Sequence, residues 1–84
     1  MDKDSILAKV MDLVAETLET DAGSVTAESR IREDLGADSM HVVTLIIALD
    51  EAFDAEFNLE DVPKDGVTVA WIADYVARTL ARTG

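Results

Sequence analysis

Three segments of this 84-residue chain repeat their apolar residues at intervals of three and four, and no segment alternates cleanly at period two. Whatever core the chain builds must therefore be built from helices. In the first segment, residues 5 to about 20, Ile6, Val10, Leu13, Val14 and Leu18 share one side, with Lys9, Asp12, Glu16 and Glu19 between them. Asp2 and Asp4 suit the positive end of its dipole, and Asp4 or Ser5 is the expected cap. The breaker stretch Asp21-Ala22-Gly23-Ser24 ends it. The second helix starts at Asp38-Ser39, with Asp38 as cap, and carries Met40, Val43, Ile46, Ile47 and Phe53 at helical spacing. Its run Val42-Val43-Thr44-Leu45-Ile46-Ile47 also suits a buried strand by propensity. The pattern continues through Ala48, Leu49, Ala52 and Phe53, past ordinary strand length, which favours the helix. Residues 58–62 suit one short turn of helix closed by Pro63, followed by a turn at Lys64-Asp65-Gly66. Thr68 then caps a last helix with Val69, Ile72, Ala73, Val76 and Leu80 on one face, and Arg78 and Arg82 near the negative end of its dipole.

These elements describe an all-α fold: a four-helix bundle of three main helices and one short one, in a single domain over residues 1–84. Residues 25–37, between the first two helices, hold no period and make a long first loop, which Val25, Ile31 and Leu35 are expected to pin against the core. A connection of that length in a compact domain usually has a function. A chain of this size buries only roughly 60% of its unfolded surface, so the core is thin and leaves no room for a large catalytic cavity.

Composition narrows the function further. Eighteen acidic and seven basic residues give a formal net charge of −11, on a chain that is nonetheless 49% hydrophobic. The apolar content offsets chain entropy, so the chain folds. The charge disfavours nucleic acid and acidic lipid, and partners should present basic patches. With no cysteine and one histidine, His41, disulfides, thiolate chemistry and multi-histidine metal sites are absent. The amino-terminal Met1-Asp-Lys-Asp is acidic where a secretory signal is basic, and the longest nearly unbroken apolar run, residues 42–49, falls far short of the ~20 residues that span a bilayer. The expectation is a soluble, cytoplasmic monomer with no stable membrane insertion.

Most candidate sites dissolve on inspection. No glycine forms a phosphate-cradling loop. Ser39 and His41, with Asp34 or Asp38 nearby, carry the side chains of a nucleophile triad, but two residues apart on one helix they face different directions. Asp54-x-Glu56-x-Asn58 opens like a calcium loop, yet Leu59 stands where glycine is needed and Asp65 where a bidentate glutamate is needed. Weak divalent binding at Asp50, Asp54 and Glu56 is the most such a cluster offers. Trp71 and Tyr75, four apart and off the main apolar stripe, read as an aromatic pair closing the bundle edge or, alternatively, as a contact for a bound acyl chain or partner. His41 reads as a solvated residue bonded to Asp38. What remains is Asp34-Leu35-Gly36-Ala37-Asp38-Ser39-Met40. A hydroxyl in the first turn of a helix lies where free N–H groups and the dipole favour a phosphate, so Ser39 is a sensible place to attach a phosphodiester.

The stretch Glu33-Asp34-Leu35-Gly36-Ala37-Asp38-Ser39-Met40 resembles the attachment motif of the acyl carrier proteins, commonly Asp-Leu-Gly-x-Asp-Ser-Leu. The likeness extends into Ala48-Leu49-Asp50-Glu51-Ala52-Phe53-Asp54-Ala55-Glu56-Phe57, and into Thr68-Val69 and Asp74-Tyr75-Val76. Val25-Thr26 with Ile31 is similar to the first loop of that family, so the likeness covers nearly the whole chain. The resemblance implies that the chain is a carrier and no enzyme. It implies that a phosphopantetheinyl transferase, using coenzyme A and Mg²⁺, attaches 4′-phosphopantetheine to Ser39, with Asp38 helping to position the transferase's metal and cofactor. The arm would carry acyl thioesters to separate enzymes of fatty-acid, lipid or polyketide-type biosynthesis. Docking would fall on Met40, His41, Val43, Thr44, Ile47, Asp50, Glu51 and Asp54. An acyl chain would fold back against Val43, Ile47, Phe53 and Val62, and since so thin a core has no ready pocket, the helices should part on loading. Met40-His41 replaces the family's usual Leu-Asp, and Thr44 replaces an acid, which points to a dedicated pathway. Two other readings stay open on sequence: a non-carrier acidic interaction module, and a peptidyl carrier, whose motif usually has Gly-Gly before the residue preceding serine.

Overall fold

The computed structural model describes residues 2–63 and 65–83. It contains three α-helices, α1 (Lys3–Thr17), α2 (Ser39–Phe53) and α3 (Val69–Thr83), and two single 3₁₀ turns, Ala22–Ser24 and Leu59–Asp61. The fold is all-α; among the described residues the one β-type pairing is an isolated bridge between Arg30 and Thr68. The expected short helix is the 3₁₀ turn Leu59–Asp61. Of the expected Lys64-Asp65-Gly66 turn, Lys64 lies outside the described residues, and Gly66 has the positive φ of 76° that such a turn needs.

The cap of α1 is Asp2, not Asp4 or Ser5: its Oδ1 accepts the Ser5 N–H at 2.8 Å, so Ser5 is the donor that the cap serves. The helix also stops earlier than the breaker stretch. Glu19 turns into the left-handed region at φ 54°, and the Thr20 N–H closes back on the Ala15 carbonyl at 2.9 Å. Ile6, Val10, Val14 and Ala15 are buried, with Leu13 and Leu18 packed at the margin. Against this face lie both α2 and α3.

The buried face of α2 is Val42, Leu45, Leu49 and Phe53, so of the expected stripe only Phe53 is buried. Met40, Val43 and Ile47 are 78%, 41% and 53% exposed, and Ile46 is half-buried. Both faces of this helix are apolar at the same spacing, so periodicity alone cannot say which one turns inward. In α3, by contrast, Val69, Ile72, Ala73 and Val76 are buried as the spacing predicts. Tyr75 is buried with them, so it belongs to the core and not beside it.

The first loop is tied at both ends. Val25 and Ile31 are buried in the core and Leu35 packs at its edge. The Ser29 and Ala27 carbonyls accept the N–H groups of Val69 and Ala70 at 3.0 and 2.8 Å, and Ile31 N–H bonds the Val67 carbonyl at 3.0 Å. Thr68 Oγ1 accepts the Trp71 N–H at 3.0 Å. The orphan donors at the start of α3 are thus met partly by a local cap and partly by the loop. Through that anchor the loop delivers the chain to the start of α2.

Candidate functional site

Residues 30–38 form a closed knot that aims α2. The Asp34 and Leu35 N–H groups both bond the Arg30 carbonyl, Gly36 N–H bonds the Arg32 carbonyl at 3.1 Å, and Ala37 N–H bonds the Ile31 carbonyl at 2.8 Å. Asp34 Oδ2 reaches back to the Arg30 N–H at 2.9 Å, and that bond, first among its causes, holds the Asp34 carboxyl below the usual carboxylate range. Gly36 makes the reversal at φ 75°; an added Cβ would meet nothing within 4 Å, so glycine serves the backbone conformation and not the space.

Asp38 follows in extended conformation and caps α2, its Oδ1 accepting the His41 N–H at 3.0 Å. That bond is the largest reason its carboxyl lies below the ordinary range. The Asp38 N–H in turn donates to His41 Nδ1 at 3.3 Å, completing a reciprocal capping box with histidine where glutamate or glutamine is usual. His41 is therefore engaged with Asp38, as expected, and not with Ser39. Ser39 is the first residue of α2 and is exposed. Its hydroxyl has no hydrogen-bond partner among the described residues, so it is an accessible oxygen at the positive end of a 15-residue helix.

Beside Ser39 runs a surface groove of about 370 Å³. Val42, Val43, Leu59 and Val62 give it apolar walls, and Arg32 and Glu60 border it. The trough is an open surface feature between α2 and the 3₁₀ turn, outside the packed core. Val43 and Val62 line it as expected, whereas Phe53 is in the core and Ile47 is on the open surface.

The wall formed by residues 58–62 is held from the other side by Tyr75. Its hydroxyl accepts the Asn58 N–H at 2.9 Å and donates to Asp61 Oδ2 at 2.9 Å, with the Asn58 carbonyl at 3.3 Å. Burial pushes the phenol's pKa above its ordinary value. Its ring meets Phe57 edge-on at 5.6 Å and Trp71 at 5.4 Å, so the aromatic pair does close the bundle edge. Asp50 adds a second tether, its Oδ1 accepting the Phe57 N–H at 2.9 Å. Among the described residues no group of three or more histidine, aspartate or glutamate side chains is placed to hold a metal ion. Nothing in the sequence marks Arg32 as a groove residue or Tyr75 as a clamp, because both depend on contacts across the fold.

A family model described as the phosphopantetheine attachment site matches residues 8–76. An acyl carrier protein from Syntrophobacter fumaroxidans is 42% identical over 81 residues, covering 96% of this chain and 99% of that protein. The chain belongs to the acyl carrier protein family. The solved structure of an acyl carrier protein from Enterococcus faecalis superposes with a TM-score of 0.72 at 30% identity, covering 94% of this chain and 99% of that one. Members are carriers and not catalysts, their prosthetic group is 4′-phosphopantetheine, and their partners are acyl-handling enzymes and a phosphopantetheinyl transferase. The start of α2 fits such a group: an exposed hydroxyl, first-turn N–H groups suited to a phosphate, and a trough beside them. No helix among the described residues is long and apolar enough to cross a membrane.

Proposed function

We propose that Ser39 carries the 4′-phosphopantetheine and that this chain presents acyl groups on it to the enzymes of a dedicated lipid, fatty-acid or polyketide-type pathway. The observation that carries this reading is the exposed Ser39 hydroxyl at the start of α2, fixed by the Asp38–His41 box and opening onto the groove. When bound, the arm supplies the terminal thiol that a chain without cysteine lacks. Asp38, adjacent to the hydroxyl, is the residue to help the transferase place its metal and cofactor. The docking face is α2: Met40, Val43, Thr44 and Ile47 near the attachment point, and Asp50, Glu51 and Asp54 toward the far end. Basic patches on the partners suit the latter. His41 and Thr44, in place of the family's usual acids, make the contact next to the arm less acidic, which supports a dedicated set of partners.

Intact mass before and after incubation with coenzyme A, Mg²⁺ and a broad-specificity transferase is the test. The wild type should gain the mass of one arm and Ser39→Ala none. An unmodified wild type, or an equal gain on Ser39→Ala, rejects the assignment and leaves the non-carrier module.

A further inference from the structure

We propose that the guanidinium of Arg32 binds the phosphate of the phosphodiester on Ser39 and so pins the root of the arm to the rim of the groove. This rests on Ser39 as the attachment residue. Residues 33–63 hold nine acids and no lysine or arginine, so a phosphodiester on Ser39 adds a further anion to a stretch that already carries −9. A cation within reach offsets that charge, and Arg32 borders the same groove as Ser39.

Arg32 is also available. Two residues earlier, Arg30 is committed, its Nε lying 3.8 Å from Glu33 Oε2 and 3.5 Å from Asp34 Oδ2. Arg32 is half-buried, its backbone is fixed by the bond from Gly36 N–H to its carbonyl, and it makes no ion pair among the described residues. A partly desolvated arginine beside a lone hydroxyl has no evident task in the unmodified protein. Its planar fork matches two phosphate oxygens, whereas the first-turn N–H groups of α2 approach from the helix side. The competitors for Arg32 are carboxylates: Glu60, which lines the same groove, and Asp38, the residue before Ser39. Asp38 Oδ1 is already engaged by the His41 N–H, and Glu60 is exposed and pays the entropy of an exposed pair. The phosphate is held covalently at one position, which gives it a high effective concentration at the rim. Loading thus converts an unpaired surface cation into one half of a charge-assisted pair, and directs the arm's first bonds along the Val42–Val43 wall.

The test uses ¹⁵N-labelled protein in apo and holo forms, with mass spectrometry first confirming one arm on Ser39. The Arg32 Nε–H cross-peak should shift between apo and holo wild type. The ³¹P resonance of the holo protein should move in Arg32→Gln toward the value for urea-unfolded holo protein, with Arg32→Lys retaining part of the wild-type shift. Trp71 fluorescence verifies that each variant is folded, and the wild-type apo-to-holo comparison needs no variant. An Arg32 cross-peak that superimposes in the two forms, or a ³¹P resonance unchanged in Arg32→Gln, overturns the contact while leaving the carrier reading intact. A cross-peak that responds to Glu60→Gln in the apo protein and not to loading assigns Arg32 to Glu60 and equally overturns it. Failure of the mass gain itself falls on the attachment reading instead.

Discussion

His41 stands where a glutamate or glutamine usually closes a capping box. Its Nδ1 accepts from the Asp38 N–H at 3.3 Å and lies 3.0 Å from Asp38 Oδ1. Asp38 itself is depressed by the His41 N–H that it accepts, so its cap is fully in force above the ordinary aspartate value of about 3.9 and is lost as pH falls through the lower folded value. Asp38→Ala should therefore melt a few degrees below wild type at pH 7, and the gap should shrink below pH about 3.9. Asp38→Asn, which caps without a charge, should keep most of the wild-type Tm at neutral pH. A gap independent of pH in circular-dichroism melts would mean the carboxylate is not the acting group. Tyr75 invites a second substitution. Removing its hydroxyl in Tyr75→Phe frees Asn58 and Asp61, both exposed enough to find water, so the loss should be about 0.5–1.5 kcal/mol in urea unfolding.

At the scale of elements, α2 separates what the sequence makes legible from what it does not. Its start is legible, because the Asp38 cap acts on the backbone within one turn, at the His41 N–H. So is the inner face of α3, where Asp74, Arg78 and Arg82 leave a single apolar side. The inner face of α2 is not, since Met40-Val43-Ile47 and Val42-Leu45-Leu49 keep the same spacing and the choice is made by α1 and by the loop's grip on α3. For the same reason the proposed attachment serine, Ser39, could be picked out from the sequence, whereas the groove and Arg32 could not. The two faces of α2 predict opposite outcomes. Leu49→Ala empties a fully buried site and should cost about 2–5 kcal/mol. Ile47→Ala on the exposed side should change stability by no more than about 0.5 kcal/mol and act instead on partner affinity. Equal losses in denaturant midpoint would mean that α2 is rotated from the orientation described.

Over the whole molecule the charge of −11 is not evenly spread, and its uneven placement sets how the fold responds to ions. Of the nine acids in residues 33–63, Glu33 and Asp34 share Arg30, and Asp38 contacts His41. Asp50, Glu51, Asp54, Glu56, Glu60 and Asp61 have no cationic partner among the described residues; Asp50 and Asp61 use their oxygens on Phe57 N–H and Tyr75 hydroxyl instead. These six lie on the last part of α2 and the segment after it, where each repels its neighbours through water. The repulsion is screened within a Debye length of about 8 Å at physiological ionic strength, and divalent ions condense on such a surface without a built site. Moderate NaCl should therefore raise the Tm, and Mg²⁺ should raise it further at equal ionic strength. The gain should be smaller in a Glu51→Gln/Asp54→Asn double variant, which removes two of the charges without touching Ser39, the groove or the Asp38 cap. A flat or falling response to both salts in thermal melts would mean that these carboxylates do not strain the fold, and that their cost to stability is already met within the chain.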